Sequence, residues 1–347
     1  MTEPMPFSNA TNKGKAPAYS SHMEPAPISQ SPEAPKLKVT DLPDVDEPES
    51  GQPSTWLDMP AESDDPHALP PAGLFDGVQT FPGDGLPIED RPLISPLAPM
   101  TTLRAEYENG SQMFVKQIDW LMEQGWIGIR RTRGDGDCFY RSLAFAYIER
   151  ILHATEPAIA VSSAVSVLET TQPLLEQVGF QAMVFEDFYD AFVGLISWVV
   201  HPREDGSLLT IASLLEAFNV HEVSNSIVMY LRLLTSAQIK SEADIYSPFL
   251  FNPETGDPMD PESFCNNYVE AIGKEADHVQ IAALSKVLRA NINVAYLDGH
   301  DPEGKVSFVS FQNAPDPGAE PVNLLYRPGH YDILDRRHED PLPPLLV

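Results

Sequence analysis

Two short segments carry residues able to do nucleophilic chemistry, and the first is Gly134-Asp135-Gly136-Asp137-Cys138-Phe139-Tyr140. Gly134 and Gly136 interrupt the preceding segment, and Asp135 and Asp137 are good helix N-cap residues. From Cys138 onward Phe139, Leu143, Ala146 or Tyr147, and Arg150 or Ile151 recur at helical spacing, so the thiol falls in the first turn of a helix. There the positive end of the helix dipole and the unpaired backbone N–H groups favour thiolate over thiol. The same N–H groups can hold a developing oxyanion. One segment thus offers a nucleophile and a stabiliser for acyl transfer.

A base is offered by Val322-Asn323-Leu324-Leu325-Tyr326-Arg327-Pro328-Gly329-His330-Tyr331-Asp332-Ile333-Leu334. An apolar run meets a Pro-Gly turn and resumes, which predicts two strands around a tight turn. Residues i and i+2 of a strand share a face, so His330 and Asp332 lie side by side. Asp332 would then fix the imidazole tautomer and stabilise its cation. The long separation of Cys138 from His330 is normal for such pairs.

Other candidates are weaker. Asp135 and Asp137 imitate part of a calcium loop, but the remaining ligands and the distal Glu are missing, so no metal is expected. The two glycines lack the Lys and Ser/Thr of a phosphate loop. His278 is a rival base, but it follows a cap residue at a helix start, where a cation is disfavoured, and no carboxylate sits at a strand-like offset to orient it. Cys265 reads as helix packing, and the two cysteines form neither a disulfide framework nor a zinc spacing. Trp120 and Trp126 read as core.

The elements that must position these residues are mostly helical. An amphipathic helix is expected over 111–123, with Trp126-Ile127-Gly128-Ile129 as a brief extended or turn segment behind it. After the Cys138 helix, apolar spacing predicts helices over 160–178, 185–200, 207–218, 224–235 and 263–273. Asp277 is expected to cap another. The period then changes to two, through Ile292, Val294, Tyr296 and the Val306–Phe311 run. The expected class is α+β: a helical region packed on a small, late, mostly antiparallel sheet.

Composition divides the 347-residue chain near position 100. Of its 34 prolines, 19 lie in residues 1–100, with 16 acidic and 5 basic side chains. Such a stretch cannot bury enough apolar surface to offset chain entropy, so 1–100 is expected to be a disordered acidic tail and 101–340 the folded domain. The net charge of −29 leaves −29 + 11 = −18 for the remainder. An acidic surface argues against nucleic acid and against an anionic membrane. There is no apolar segment of signal-peptide type and no run long enough to span a bilayer, so a cytoplasmic location, with the nucleus as a second compartment, is expected.

Arg131-Thr132-Arg133-Gly134-Asp135-Gly136-Asp137-Cys138-Phe139-Tyr140-Arg141-Ser142 resembles the nucleophile segment of the otubains, ubiquitin-cleaving cysteine proteases of the ovarian-tumour superfamily. Leu324–Leu334 resembles their histidine segment. Val228–Ser236, Glu275–Leu284, Glu186-Asp187-Phe188 and Phe264-Cys265 are similar as well. The resemblance runs from about residue 105 to 336. It implies a papain-like OTU-type domain in which Cys138 is the nucleophile, His330 the general base and Asp332 its partner. The Asp135 region would form the oxyanion hole, largely through backbone N–H groups.

The implied reaction is hydrolysis of isopeptide bonds at the ubiquitin C-terminus, in the chains that mark proteins for the proteasome, with no metal or organic cofactor. Ubiquitin and polyubiquitin are the implied partners of a monomeric enzyme, with Tyr331 or Trp126 as a wall of the glycine channel. Ubiquitin-conjugating enzymes are further candidates, contacted through the 101–123 helix, and a purely non-catalytic capture of ubiquitin or such an enzyme is the alternative. Two departures stand out. Asp137 replaces a common Asn, and a carboxylate there disfavours the thiolate unless it turns away. Residues 151–225 look longer than their counterparts, with an added loop around 201–208.

Overall fold

A six-stranded sheet is the frame on which the two chemical segments meet, in a computed structural model that describes residues 88–316 and 318–336. Its strands are β1 (Ile94–Pro99), β2 (Gly128–Thr132), β3 (Ile292–Tyr296), β4 (Ser307–Phe311), β5 (Val322–Arg327) and β6 (His330–Asp335), in the spatial order β1-β2-β6-β5-β3-β4. Only β3 and β5 run parallel. The expected acidic tail lies, up to residue 87, outside the described residues, as does the chain beyond 336. Residues 94–99 correct the expected boundary at 100: they are an edge strand of the sheet. Pro96 is compatible with that because an edge strand does not need every N–H, and the β1–β2 register shifts between Ile94 and Leu97. The sheet is also not wholly late, since β1 and β2 precede the cysteine.

Both faces of the sheet are covered at its centre, so β2, β5 and β6 bury side chains on both sides, whereas the edge strands β1 and β4 keep exposed positions. On one face lie α1 (Met100–Tyr107) and α2 (Gln112–Glu123), whose Leu103, Ile118 and Leu121 meet Ile129, Leu325 and Leu334. On the other lie α3 (Cys138–Leu152), α4 (Pro157–Glu169), α5 (Thr171–Gln177), α6 (Ala182–Ser197) and α7 (Ile211–Asn219). The same layer holds α8 (His221–Ser241), α9 (Ala243–Tyr246), α10 (Pro261–Phe264) and α11 (His278–Val287). Phe139, Leu143, Leu231 and Leu284 from this layer meet Val294, Leu324 and Ile333. Successive residues of β5 and β6 (Leu324 and Leu325, Ile333 and Leu334) therefore belong to opposite cores.

The expected helix over 160–178 is two, α4 and α5. The one expected over 263–273 is only α10 followed by a π-turn at Cys265–Val269. Asp277 caps α11 as expected, in a reciprocal box with Gln280. The helix over 101–123 is likewise two, with its apolar faces committed to the core beneath the sheet.

Candidate active site

Cys138 opens α3 as a buried residue, 2% exposed. Asp137 occupies the N-cap position, yet its side chain makes no capping bond. Oδ1 of Asp137 accepts instead from Arg232 Nε at 2.9 Å, Arg232 Nη2 at 2.5 Å and the Gly273 N–H at 3.1 Å. The expected capping does not occur, and its absence matters. A capped helix would have spent the first-turn N–H groups that an oxyanion needs. Asp135 turns back on its own loop: Oδ1 accepts the Asp137 N–H at 3.0 Å, and both oxygens accept Arg141 Nη1 at 2.8 Å. Its carboxylate braces the loop rather than addressing the sulphur.

Arg232, fully buried on α8, is the hub of this region. Besides Asp137 it donates to the carbonyls of Gly136 (3.1 Å), Lys274 (2.7 Å) and Val269 (2.9 Å), and lies 4.3 Å over the Tyr140 ring. The nucleophile loop and the segment around 273 meet backbone to backbone. Gly136 has φ +82°, and a Cβ there would stand 2.1 Å from the Gly273 carbonyl oxygen. Only glycine fits. The departure at Asp137 is thereby resolved: the carboxylate beside the thiol is turned inward and neutralised by a guanidinium.

His330 begins β6, one turn past Pro328-Gly329, and its Nε2 lies 2.9 Å from Asp332 Oδ1. The ring stands over Gly134, where a Cβ would meet Nδ1 at 3.4 Å, and the Cys138 side chain is among the groups that raise its pKa. With Nε2 taken by Asp332, Nδ1 is the nitrogen left for the sulphur. Burial alone pulls the imidazole pKa down. The charge and hydrogen bond of Asp332, and then the bond and charge of Cys138, outweigh it and hold His330 at about 9. For Asp332, completely buried, burial pushes upward, but Arg327, His330 and Arg131 together hold the carboxyl well below the usual range. The Thr132 N–H completes its shell at 3.0 Å.

The remaining candidates fall away from this centre. The His278 ring packs 4.8 Å from Phe311, and burial lowers its pKa. Cys265 sits 3.8 Å from the Ser236 carbonyl, with burial pushing its thiol up to about 12. Trp126 stacks on Phe308 at 5.9 Å in the core beneath α1 and α2, across the sheet from Cys138, which removes it as a channel wall. Tyr331 is buried edge-on to Phe139, its hydroxyl donating to the Ala276 carbonyl at 3.2 Å. Among the described residues no group of three or more His, Cys, Asp or Glu is arranged to hold a metal. Residues not singled out from sequence are Arg131, Thr132, Arg232, Gly273 and Arg327. For Arg327 a signal existed, because a two-residue turn sets it opposite His330 across the hairpin.

A thiol at an uncapped helix start, an imidazole on a strand beside it and a buried carboxylate behind that imidazole are the arrangement of papain-like thiol hydrolases. Residues 87–336 match Peptidase C65, the otubain peptidases, and the chain belongs to this family. It is 35% identical over 253 residues to OVARIAN TUMOR DOMAIN-containing deubiquitinating enzyme 1 of Arabidopsis thaliana, covering 70% of this chain and 80% of that one. It is 35% identical over 235 residues to ubiquitin thioesterase OTUB2 of Homo sapiens, covering 68% and 91%. A solved complex of ceOTUB1 with ubiquitin aldehyde and UBC13~Ub matches with a TM-score of 0.61 and 29% identity, over 72% of this chain and 96% of that one.

Proposed function

We propose that this chain is a deubiquitinating thiol protease in which Cys138 attacks the carbonyl carbon of the ubiquitin C-terminal glycine. First-turn N–H groups of α3 receive the oxyanion. The imidazolium of His330 passes its proton to the departing lysine amine, leaving a thioester on Cys138. His330, neutral again, takes a proton from water, which opens the thioester and frees ubiquitin. Asp332 keeps the imidazole oriented throughout. The observation that carries this reading is the His330–Asp332 pair, acted on by Cys138, with that thiol at a helix start whose N–H groups no side chain caps.

Polyubiquitin of the proteasome-directing kind is the proposed substrate, and a ubiquitin-conjugating enzyme a further partner. Similar structures solved with ubiquitin aldehyde and a conjugating enzyme support ubiquitin and such an enzyme as partners; the chain type rests on the family resemblance alone. A ubiquitin probe bearing a C-terminal electrophile tests the chemistry, and a di-ubiquitin panel tests the chain type. Labelling that vanishes in Cys138→Ser and fades in His330→Ala is expected. Tight ubiquitin binding without labelling of the wild type would instead mark a capture protein.

A further inference from the structure

We infer that Arg327 and Arg131, steadied by Glu106 of α1, are positioning residues of the reaction, holding the Asp332 carboxylate in the one rotation that presents Oδ1 to His330. The inference rests on the proposed thiol protease mechanism and concerns a part of the molecule on the far side of the sheet from α3.

The partners of Asp332 are sorted by oxygen. Oδ1 takes His330 Nε2 at 2.9 Å and the Thr132 N–H at 3.0 Å. Oδ2 takes Arg327 Nη2 at 2.5 Å, with Arg131 Nη1 at 3.7 Å. Arg327 is 3% exposed and Asp332 fully buried. A buried pair of this kind is not retained for stability alone, since well-packed apolar residues do as well or better. Its effect here is directional: guanidinium charge on Oδ2 leaves Oδ1 for the imidazole.

The same two guanidiniums are shared with α1. Glu106 Oε1 bonds Arg131 Nη2, Glu106 Oε2 lies 4.0 Å from Arg327 Nη1, and the Tyr107 hydroxyl lies 3.5 Å from that nitrogen. Two carboxylates and two guanidiniums thus alternate across α1, β2, β5 and β6. Around the imidazole itself stand Asp332, Cys138 and Glu275, the last of which feels its charge. The helix that covers the lower core is thereby linked, through these two guanidiniums, to the carboxylate behind the base.

The two ends of the network perturb opposite limbs of the pH profile. Arg327→Met removes the charge that keeps Asp332 ionised, so its protonation enters the working range and the acidic limb of kcat/KM moves up. Misorientation of the imidazole lowers kcat on the order of 10²-fold, with KM little changed. Arg327→Lys restores charge without the planar fork and recovers part of both. Glu106→Gln removes an anion from the two guanidiniums behind Asp332, so the basic limb moves down, by less than about one pH unit.

The experiment measures kcat/KM against pH with a ubiquitin C-terminal fluorogenic amide, alongside the pH dependence of Cys138 alkylation by iodoacetamide, which needs no ubiquitin. Ubiquitin affinity in a Cys138→Ser background checks that the binding face is intact. Should Arg327→Met fail to fold, Arg327→Lys and Glu106→Gln carry the test. Folded variants with wild-type pH limits in both assays overturn the inference. Wild-type protein that neither turns over nor labels with the ubiquitin probe overturns the protease reading instead.

Discussion

Arg232→Met tests whether the charge beside the proposed nucleophile is held harmless by one guanidinium. The pair is deeply buried, Arg232 at 0% and Asp137 at 6% side-chain exposure. Removing one partner of such a pair costs about 3–5 kcal/mol, because the other charge stays buried and uncompensated. Three carbonyls, on Gly136, Val269 and Lys274, lose their donor as well, at about 1–3 kcal/mol for each that water cannot reach. A loss of about 5 kcal/mol or more is expected, and at about 2–4 °C per kcal/mol for a domain of this size Tm falls by roughly 10–20 °C. Asp137→Asn keeps an oxygen for Arg232 and the Gly273 N–H, so its cost alone is about 1–2 kcal/mol. In Asp137→Asn/Arg232→Met no carboxylate is stranded, and the double variant should be at least about 1 kcal/mol more stable than the sum of the two singles. Turnover should follow the same pattern, with Arg232→Met losing activity that Asp137→Asn partly returns. Thermal denaturation of all four proteins, with kcat/KM at matched temperature, closes the cycle. Additivity within about 0.5 kcal/mol would refute the pairing.

Three further outcomes are expected. Asp332 is ringed by donors, from His330, Thr132 and Arg327, so the NH₂ of Asp332→Asn faces a donor in either rotation; kcat/KM should fall on the order of 10³-fold by imposing the wrong imidazole tautomer, yet stay above that of Cys138→Ala. The folded state raises His330 from 6.5 to about 9, so it holds its proton more tightly than the unfolded chain does. Its contribution, on the order of 3 kcal/mol, is complete below about pH 6.5 and lost as pH rises through about 9; urea denaturation at pH 6 and pH 9.5 should show that loss, and His330→Gln should flatten it. Gly136→Ala would place a methyl 2.1 Å from the Gly273 carbonyl at φ +82°, so probe labelling should be lost and Tm lowered, and wild-type labelling would contradict the close approach.

The groups proposed to do the chemistry were legible in sequence because each belongs to a local motif. Cys138 follows a Gly-Asp loop and starts a periodic helix, and His330 and Asp332 lie two apart beyond a Pro-Gly turn. Asp277 announced its helix for the same reason. The groups that hold them were not legible. Arg130 and Arg131 keep the full length of β2 from reading as a strand, because charged residues in a strand look solvated until their partners are known. Those partners are Glu149, Glu106 and Asp332, at 19, 25 and 201 positions along the chain. Arg232 interrupts the apolar run from Ile227 to Leu234 within α8 to meet a carboxylate 95 residues away. β1 hid behind Pro96 and Pro99, which periodicity reads as tail and an edge strand accepts.

The division has a physical cause. A nucleophile and its base need particular backbone settings, a helix start and a tight hairpin, which only a few adjacent residue types can produce. A buried ion pair needs only two opposite charges brought together by the rest of the fold, so each partner looks like an ordinary surface residue until the chain is packed. It follows that variants of Arg131, Arg232 and Arg327 should be more damaging than their sequence context suggests, whereas a surface cation such as Lys305, paired with Glu303 at 60% and 71% exposure, should change stability by no more than about 1 kcal/mol. A scan replacing each of these four with Met, scored by denaturation, would overturn this reasoning if Lys305 ranked with the three arginines.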